Sequence, residues 1–256
     1  MKKKYIILFS VVIVYLVITF ILLAVTGNID GIGKKYIVLS PDIVLTYKND
    51  NLSLYTKKIK KKNIELYYNN EYMGSYKFSY KDNEIQFIDK NKNTFETHDN
   101  QFFGYSKSLN IDIIPFENNQ MNDLEIEKLN QILNNLGISG YEILSISDKI
   151  NIDYNNDGIN DDIYIVSNLF LESINKKVFS LIYYLDENSN PVFIYKNINN
   201  TTSMYNLCVP SINNIVDLNK DSNYEMFIEC NYFDNIGTEY SIYKFENKSY
   251  NIIKGF

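Results

Sequence analysis

The chain opens with an uninterrupted apolar run, and short apolar and polar stretches alternate after it. The run, Tyr5 to Thr26, contains no charged residue and has the length of about 20 residues that a helix needs to cross a bilayer. Lys2, Lys3 and Lys4 precede it, and positive charge stays on the cytoplasmic side of a membrane. The pattern predicts a transmembrane helix, with the N-terminus in the cytoplasm and the remaining chain outside it. A cleaved signal peptide is the alternative, although its apolar region is usually only about 7–15 residues long.

Beyond this run, glycines and then alternating residues indicate a β-rich region. Residues 27–35 contain three glycines, which oppose continuation of a helix. Apolar and polar residues alternate strictly from Tyr76 to Tyr80, as is typical of a half-buried strand. Asn69-Asn70 separates two strand-like runs in the manner of a tight hairpin turn. We therefore expect a β meander in the first half of the outer chain.

An amphipathic helix follows this meander. Asn122 and Glu125 have the spacing of a capping box, and Gly137 stands where a helix C-terminus favours glycine. The pattern predicts a helix that packs one face on a sheet. The apolar residues that recur on this face are Ile126, Leu129, Ile132, Leu133 and Leu136.

The predicted fold is mainly β, of the α+β class. It combines an N-terminal transmembrane helix, an N-terminal β meander subdomain, one amphipathic helix and C-terminal antiparallel β repeats. The predicted divisions are a cytoplasmic tail (1–4), a transmembrane helix (5–26), a linker (27–35), an N-terminal β subdomain (36–117), a connecting helix (118–138) and a C-terminal β domain (139–256).

Two segments of the C-terminal region share one pattern of oxygen-bearing side chains. Counted from Asp153 and from Asp217, which are 64 residues apart, Asp, Asn or Glu stands at positions 1, 3, 5 and 9. Ca²⁺ takes six to eight oxygen ligands, and a tight loop with alternating acidic residues can direct several oxygens inward. The same side chains also form ordinary turns by accepting hydrogen bonds from nearby backbone, so a metal-free turn is the alternative.

The first segment, Asp-x-Asn-x-Asp-Gly-x-x-Asp before a strand, resembles the calcium loop of FG-GAP/VCBS-type repeats, which form β-propeller blades in bacterial surface proteins. Two partial copies are too few for a propeller, which needs at least four blades. Neither copy is an EF-hand, because Tyr164 and Ile228 stand where that loop needs a glutamate. The second copy departs further, with Ser222 in place of the glycine. The calcium ligands that the resemblance implies are Asp153, Asn155, Asp157, Ile159 through its carbonyl, and Asp161, and in the second copy Asp217, Asn219, Asp221 and Glu225.

Composition and charge restrict the partners. Lysine, asparagine, isoleucine and tyrosine dominate and arginine is absent, which is typical of a low-GC bacterial genome. With Lys2, Lys3 and Lys4 inside the cell, the outer part holds 22 lysines against 31 acids, which argues against nucleic acid. One lysine run either contacts an anionic polymer or lipid headgroups, or keeps a loop or edge strand soluble. The run consists of Lys57, Lys58, Lys60, Lys61 and Lys62.

The preferred interpretation is a membrane-anchored, extracytoplasmic module that binds or supports rather than catalyses. Its expected partners are the lipid bilayer and another envelope protein or a wall polymer. The sequence has one histidine, His98, and no nucleophile elbow, Walker loop or zinc-type histidine pair. The alternative is a hydrolase of envelope carbohydrate that uses a carboxylate pair such as Asp161-Asp162. Cys208 and Cys230 either form a disulfide or remain thiols.

Overall fold

The computed structural model describes residues 13–19, 34–39, 43–48, 51–69, 71–82, 84–96, 102–138, 144, 146–168, 177–199, 208–232, 238–246 and 249–255. They belong to two compact units, Met1–Leu109 and Asn110–Phe256. Strands make up most of both units, so the prediction of a mainly β fold is confirmed. Residues 110–117, which the sequence pattern assigned to the N-terminal subdomain, belong to the second unit.

The predicted transmembrane helix is described only in its middle part. Residues 13–19 are helical, and the rest of the predicted span, 5–12 and 20–26, lies outside the described residues. Within the described ranges, no helix is both long and apolar enough to cross a membrane. The membrane anchor therefore stays a prediction.

The first unit is built around one eight-stranded sheet with strand order β3-β2-β1-β8-β4-β5-β6-β7. The predicted hairpin at Asn69-Asn70 joins β4 to β5, and Asn69 has the positive φ of 48° that tight turns use. Alternate residues of these strands form a buried core that includes Tyr36, Ile64 and Phe78. The strands are β1 (Lys35–Leu39), β2 (Ile43–Lys48), β3 (Asn51–Leu54), β4 (Ile59–Tyr68), β5 (Glu71–Lys81), β6 (Glu84–Ile88), β7 (Thr94–Glu96) and β8 (Phe102–Tyr105), followed by a 3₁₀ turn, Lys107–Leu109.

The second unit contains two five-stranded antiparallel sheets of corresponding construction. Their strand orders are β10-β11-β12-β13-β14 and β9-β15-β16-β17-β18, so each is a four-stranded meander with one short edge strand added. Each edge strand comes from the segment that precedes the helix. The strands are β9 (Asp112–Ile113), β10 (Asn118–Gln120), β11 (Ile146–Ile152), β12 (Asp161–Ser167), β13 (Val178–Leu185), β14 (Pro191–Asn199), β15 (Cys208–Asp217), β16 (Glu225–Tyr232), β17 (Thr238–Glu246) and β18 (Ser249–Gly255).

Strand alternation gives the sheet that contains β12 and β13 two buried faces. One face contributes Ile163, Ile165 and Ile182 to a core shared with the other sheet, including Ile215 and Met226. The opposite face packs against the amphipathic helix. The residues of this second core include Tyr164, Val166, Phe179 and Leu181 from the sheet and Leu129, Ile132 and Leu133 from the helix.

The predicted helix is present as Asp123–Asn135, and the signals predicted at its two ends are confirmed. The Asn122 side chain accepts a hydrogen bond from the Glu125 N–H, and the Glu125 carboxylate accepts one from the Asn122 N–H. Gly137 has a φ of 70°, the left-handed conformation that glycine adopts readily after a helix end. The helix therefore covers one sheet of the second unit, as its apolar face predicts.

A disulfide joins Cys208 to Cys230. The two residues lie on neighbouring strands, β15 and β16, near the end of this hairpin that is far from its connecting loop. The Tyr195 hydroxyl lies 3.1 Å from the Cys208 Sγ. The bridge closes a covalent loop with a sequence separation of 22 residues around the second Asp-rich segment.

Candidate metal-binding loops

The two Asp-rich segments connect corresponding strands of the two sheets. The first loop, residues 153–161, joins β11 to β12, and the second loop, residues 217–225, joins β15 to β16. The last strand pair before each loop is Ile152 with Asp161 in one hairpin and Val216 with Glu225 in the other. These pairs are also 64 residues apart, so the shared pattern occupies the same place in both hairpins.

Side chains of the first loop hold its backbone in a tight turn. The Asp153 carboxylate accepts hydrogen bonds from the N–H groups of Asp157, at 2.9 Å, and Gly158, at 2.8 Å. Asn155 Oδ1 accepts from the Asp157 N–H at 3.0 Å, and Asp157 Oδ1 accepts from the Ile159 N–H at 2.8 Å. The bonds of Asn155 and Asp157 are Asx turns, in which a short polar side chain accepts from the N–H two residues further on, whereas Asp153 reaches the N–H groups four and five residues on.

The second loop repeats all four of these hydrogen bonds at equivalent positions. The Asp217 carboxylate accepts from the N–H groups of Asp221, at 3.2 Å, and Ser222, at 3.0 Å. Asn219 Oδ1 and Asp221 Oδ1 accept from the N–H groups two residues further on, at 3.2 and 2.9 Å. Positive φ angles also recur at matching positions: 55° at Asn156 and 89° at Gly158, 60° at Lys220 and 63° at Ser222. We call this shared arrangement the loop frame.

The second residue of each loop attaches the frame to the core. Tyr154 is buried, and its ring lies 4.7 Å from that of Tyr184 and 4.9 Å from that of Phe245. Leu218 is buried at the equivalent position of the second loop. One side chain of each loop is thus packed in the interior and attaches the loop to the core.

The two loops differ at their closing acids, Asp161 and Glu225. Asp161 Oδ2 is buried, and within the described residues no atom forms a hydrogen bond with it. Glu225 Oε2 accepts a hydrogen bond from the Leu218 N–H at 2.9 Å, and Lys244 Nζ lies 3.7 Å from Glu225 Oε1. Lys244 Nζ also donates to Asp221 Oδ2 at 2.7 Å. The ammonium group of Lys244 therefore lies beside the acids of the second loop, whereas the closing acid of the first loop has a carboxylate oxygen without a partner in the described residues.

The pKa values of both closing acids are raised, whereas the pKa of Asp221, which is bonded to Lys244, is lowered. Burial raises the pKa of Asp161, and the negative charges of Asp157 and Asp153 raise it further. Burial also raises the pKa of Glu225, to about 7, although the Leu218 N–H and Lys244 oppose the shift. Burial acts in the same direction on Asp221, but hydrogen bonds from Lys244, Asn223 and Asn219 outweigh it, so the pKa of Asp221 is lowered.

The first loop fits a calcium ion better than the second. An orphaned buried carboxylate oxygen is costly, and a cation would remove that cost. Each carboxylate oxygen that accepts one backbone hydrogen bond keeps a second lone pair for a metal. In the ranges described, no group of three or more His, Cys, Asp or Glu side chains is already arranged to hold a metal. Binding would therefore require the first-loop carboxylates to move inward.

Other predicted residues lie apart from these oxygens. The Ile159 side chain is 68% exposed, which is compatible with the role of a carbonyl ligand. Asp161 and Asp162 point to opposite faces of β12, since successive residues of a strand alternate. Asp162 instead lies 3.4 Å from Lys149 and accepts a hydrogen bond from Asn151. His98 lies outside the described residues.

Among the described residues of the first unit, two open cavities of about 720 and 540 Å³ share the lining residue Lys61. Lys61 belongs to a β-bulge in β4 and has a φ of 36°. Glu65 is buried beside the larger cavity, where its carboxylate accepts hydrogen bonds from Tyr72 and Ser75. Eight lysines line the two cavities, against four acids: Lys58, Lys60, Lys61, Lys77, Lys81, Lys90, Lys92 and Lys107, with Glu65, Asp82, Glu84 and Asp89.

Comparison with known proteins gives no match, whether to a family model, to a curated protein or to a solved structure. The resemblance of the two loops to FG-GAP/VCBS-type repeats therefore stays a prediction.

Sequence reasoning missed Lys244 and most of the lysines beside the cavities. Lys244 lies on β17, whose register places it opposite Glu225. Lys77 and Lys81 lie on β5, next to β4, which carries Lys60, Lys61 and Lys62. In both cases the pairing of two strands brings the lysine to the site, and the spacing of charged residues along the chain does not reveal that pairing.

Proposed function

We propose that this protein is a single-pass, membrane-anchored extracytoplasmic binding module of a bacterial envelope. Its N-terminal unit binds an anionic polymer, and the first loop of its C-terminal unit binds Ca²⁺, which stabilises that unit. The observation that carries the binding proposal is the pair of lysine-lined cavities that meet at Lys61. A hydrolase of envelope carbohydrate stays the untested alternative.

The charge of the chain is unevenly divided. Residues 34–109 hold 13 lysines and nine acids, whereas residues 110–256 hold nine lysines and 21 acids. The negative net charge of the outer part argues against nucleic acid as a partner of the whole molecule. The N-terminal unit is nevertheless basic. Clustered positive charge attracts an anionic partner over several ångströms and raises the rate of association.

The shape of the lysine surface favours a chain-like partner. Two open cavities that share the lining residue Lys61 can each take phosphate or carboxylate groups of one linear polymer. A lipid surface is flat and would contact protruding side chains rather than the interior of a cavity. We therefore assign the lysine groove, meaning the eight lysines that line both cavities, to a wall polymer.

The anchor and the disulfide support the proposed location. The apolar run from Tyr5 to Thr26, with lysines before it, is the pattern of a membrane helix that exports the following chain. Disulfides persist in oxidising environments outside the cytoplasm, and Cys208 is bonded to Cys230. Both features are expected of a chain whose two units lie beyond the membrane.

Polymer binding can be measured with the full chain in detergent micelles and fluorescent polyphosphate as the probe. Lys61→Glu/Lys77→Glu should weaken binding at least tenfold, because it reverses two charges of the lysine groove. Lys128→Glu is the control, since Lys128 is exposed on the helix of the other unit and its reversal lowers the net charge by two, against four in the double variant. Affinity of the natural chain should fall steeply with added salt.

Three results would contradict this assignment. One is equal binding by the double variant and the natural chain. Another is an equal loss of binding in Lys128→Glu, which would reduce the effect to net charge. The third is capture by vesicles of anionic phospholipid without binding of polyphosphate, which would assign the lysine groove to lipid headgroups instead.

Calcium binding at the first loop is tested by thermal unfolding of the same preparation with and without millimolar calcium. A ligand present at about 20 times its dissociation constant stabilises the folded state by about 2 kcal/mol. Asp157→Ala should abolish the rise in Tm, because it removes a ligand and the acceptor of the Ile159 N–H. Asn223→Ala is the control, since it changes a loop residue outside the ligand set. An unchanged Tm of the natural chain in calcium would contradict the proposal.

A further inference from the structure

We infer that Lys244 completes the second loop in place of a metal ion, so that the calcium proposed above is confined to the first loop. The inference rests on the proposed function for the part that concerns the first loop. The loop pattern alone would assign a metal to both segments. It does not show that a lysine takes the place of the metal in the second one.

Lys244 lies where a bound cation would have to meet the second-loop acids. Its Nζ is 2.7 Å from Asp221 Oδ2 and 3.7 Å from Glu225 Oε1, which are oxygens of two predicted ligands. The Lys244 side chain is only 15% exposed, so it is packed into the site rather than extended into solvent. Asp221 Oδ1 is used by the Asn223 N–H and Glu225 Oε2 by the Leu218 N–H. All four carboxylate oxygens of Asp221 and Glu225 therefore have a partner without a metal, and for Asp221 Oδ2 and Glu225 Oε1 that partner is the Lys244 ammonium group.

The first loop provides the internal comparison. The closing acid there, Asp161, has one buried oxygen to which the described residues give no partner. β12 and β13 pair Ile163 with Tyr184, and extending that register by two residues places Asp186 opposite Asp161. The corresponding strand pair in the other sheet is Glu225 with Lys244. Asp186 lies in the turn after β13, where its carboxylate accepts hydrogen bonds from the N–H groups of Asn188 and Asn190. The equivalent register position therefore provides a lysine to the second loop but not to the first.

This arrangement excludes a divalent cation from the second loop for two reasons. The ammonium group already neutralises the acids, so a metal would gain less from them. A metal among the same oxygens would also lie within a few ångströms of Lys244 and be repelled by it. Because Lys244 is packed, moving it away would expose Asp221 and Glu225 to each other.

The test is the number of calcium ions bound by the full chain in detergent, measured by isothermal titration. The natural chain should bind one ion, and Asp157→Ala should bind none. Lys244→Gln removes the ammonium group and should bind two ions, or one in the Asp157→Ala background. Lys244→Arg keeps a positive charge at this position and should bind the same number as the natural chain.

Unfolding without metal gives a second measurement. Lys244→Gln should have a lower Tm than the natural chain in the presence of a chelator, and calcium should raise its Tm by more than it raises that of the natural chain. A single ion still bound by Asp157→Ala would overturn the inference, even if Lys244→Gln failed to fold. Folded Lys244→Gln that binds no additional ion would overturn it as well. If the natural chain binds no calcium but Lys244→Gln binds one, the first-loop proposal fails and the inference about Lys244 holds.

Discussion

The two loop hairpins of the second unit have the same turn but different means of support. Both loops form the same four side-chain-to-backbone hydrogen bonds and use positive φ at the same two positions. The second hairpin adds a disulfide, Cys208–Cys230, and the lysine Lys244. The first hairpin, β11 with β12, contains no cysteine, and its closing acid Asp161 has a buried oxygen without a partner in the described residues. A shared local pattern therefore does not imply a shared requirement for metal.

The difference arises from residues outside the loops. The loop frame depends on Asp and Asn side chains that bond to backbone within five residues, so each loop can form it from its own sequence. Lys244 comes from the third strand of its meander, and Asp186 comes from the turn after the third strand of the other. The cysteines come from strand ends remote from the loop. We expect the second hairpin to keep its structure without metal, and the first to depend on a cation. The following experiments test this contrast.

The largest effect is expected from the disulfide. Cys208→Ser/Cys230→Ser should lower the free energy of unfolding by about 3 kcal/mol, since the bridge closes a loop with a sequence separation of 22 residues. The loss should be the same with and without calcium, because the bridge lies in the hairpin for which we propose no metal. Chemical denaturation under both conditions measures it.

Hydrogen exchange locates the effect of that double substitution. Amides of β15 and β16 should exchange faster in the variant, while those of β11 and β12 keep the protection they have in the natural chain. Equal loss of protection in both hairpins would contradict the contrast, because it would mean that the bridge supports the whole unit rather than its own hairpin.

The next effect is a pH dependence that originates in the second loop. The pKa of Glu225 is about 7 in the folded protein, above its ordinary value of 4.5, chiefly because the carboxyl is buried. Between these values the folded state binds the proton more tightly than the unfolded state does. Stability should therefore fall as pH rises from about 4.5 to about 7, by roughly 2–3 kcal/mol, and stay at that lower level above pH 7.

Glu225→Gln isolates this contribution. Glutamine keeps an oxygen that can accept the Leu218 N–H but cannot titrate, so the slope of stability between pH 4.5 and 7 should become flatter in chelator. Thermal unfolding at half-unit pH steps is sufficient to compare the two proteins. An unchanged slope would show that another group produces the pH dependence.

The parts of the structure that the sequence predicts are those that depend on residues close together in the chain. The capping box at Asn122 and Glu125 and the turn at Asn69 depend on residues close in the chain, and the structure contains them. The short edge strand Asn118–Gln120 escapes prediction, because an exposed all-polar edge strand has no apolar alternation.

The charges opposite the loops could not be predicted, because they depend on which strands pair and in which register. Lys244 lies 19 residues beyond Glu225, and only the register of β16 with β17 places it there. One residue of slip would turn its side chain to the other face of the sheet. The lysine run at 57–62 was visible in the sequence, but the bulge at Lys61 and the lysines of neighbouring elements that complete the groove were not.

The smallest expected effect comes from giving the first loop the charge that the second one has. Asp186→Lys places a lysine opposite Asp161, as Lys244 stands opposite Glu225, and should reduce calcium-dependent stabilisation by about 0.5–1 kcal/mol. Asp186 also accepts hydrogen bonds from the N–H groups of Asn188 and Asn190, at 2.9 and 2.7 Å. Asp186→Asn keeps an acceptor for that turn without adding a positive charge, so it is the matched control. If both variants respond to calcium as the natural chain does, the strand beside each loop does not decide which of them takes a metal, and the contrast between the hairpins must have another origin.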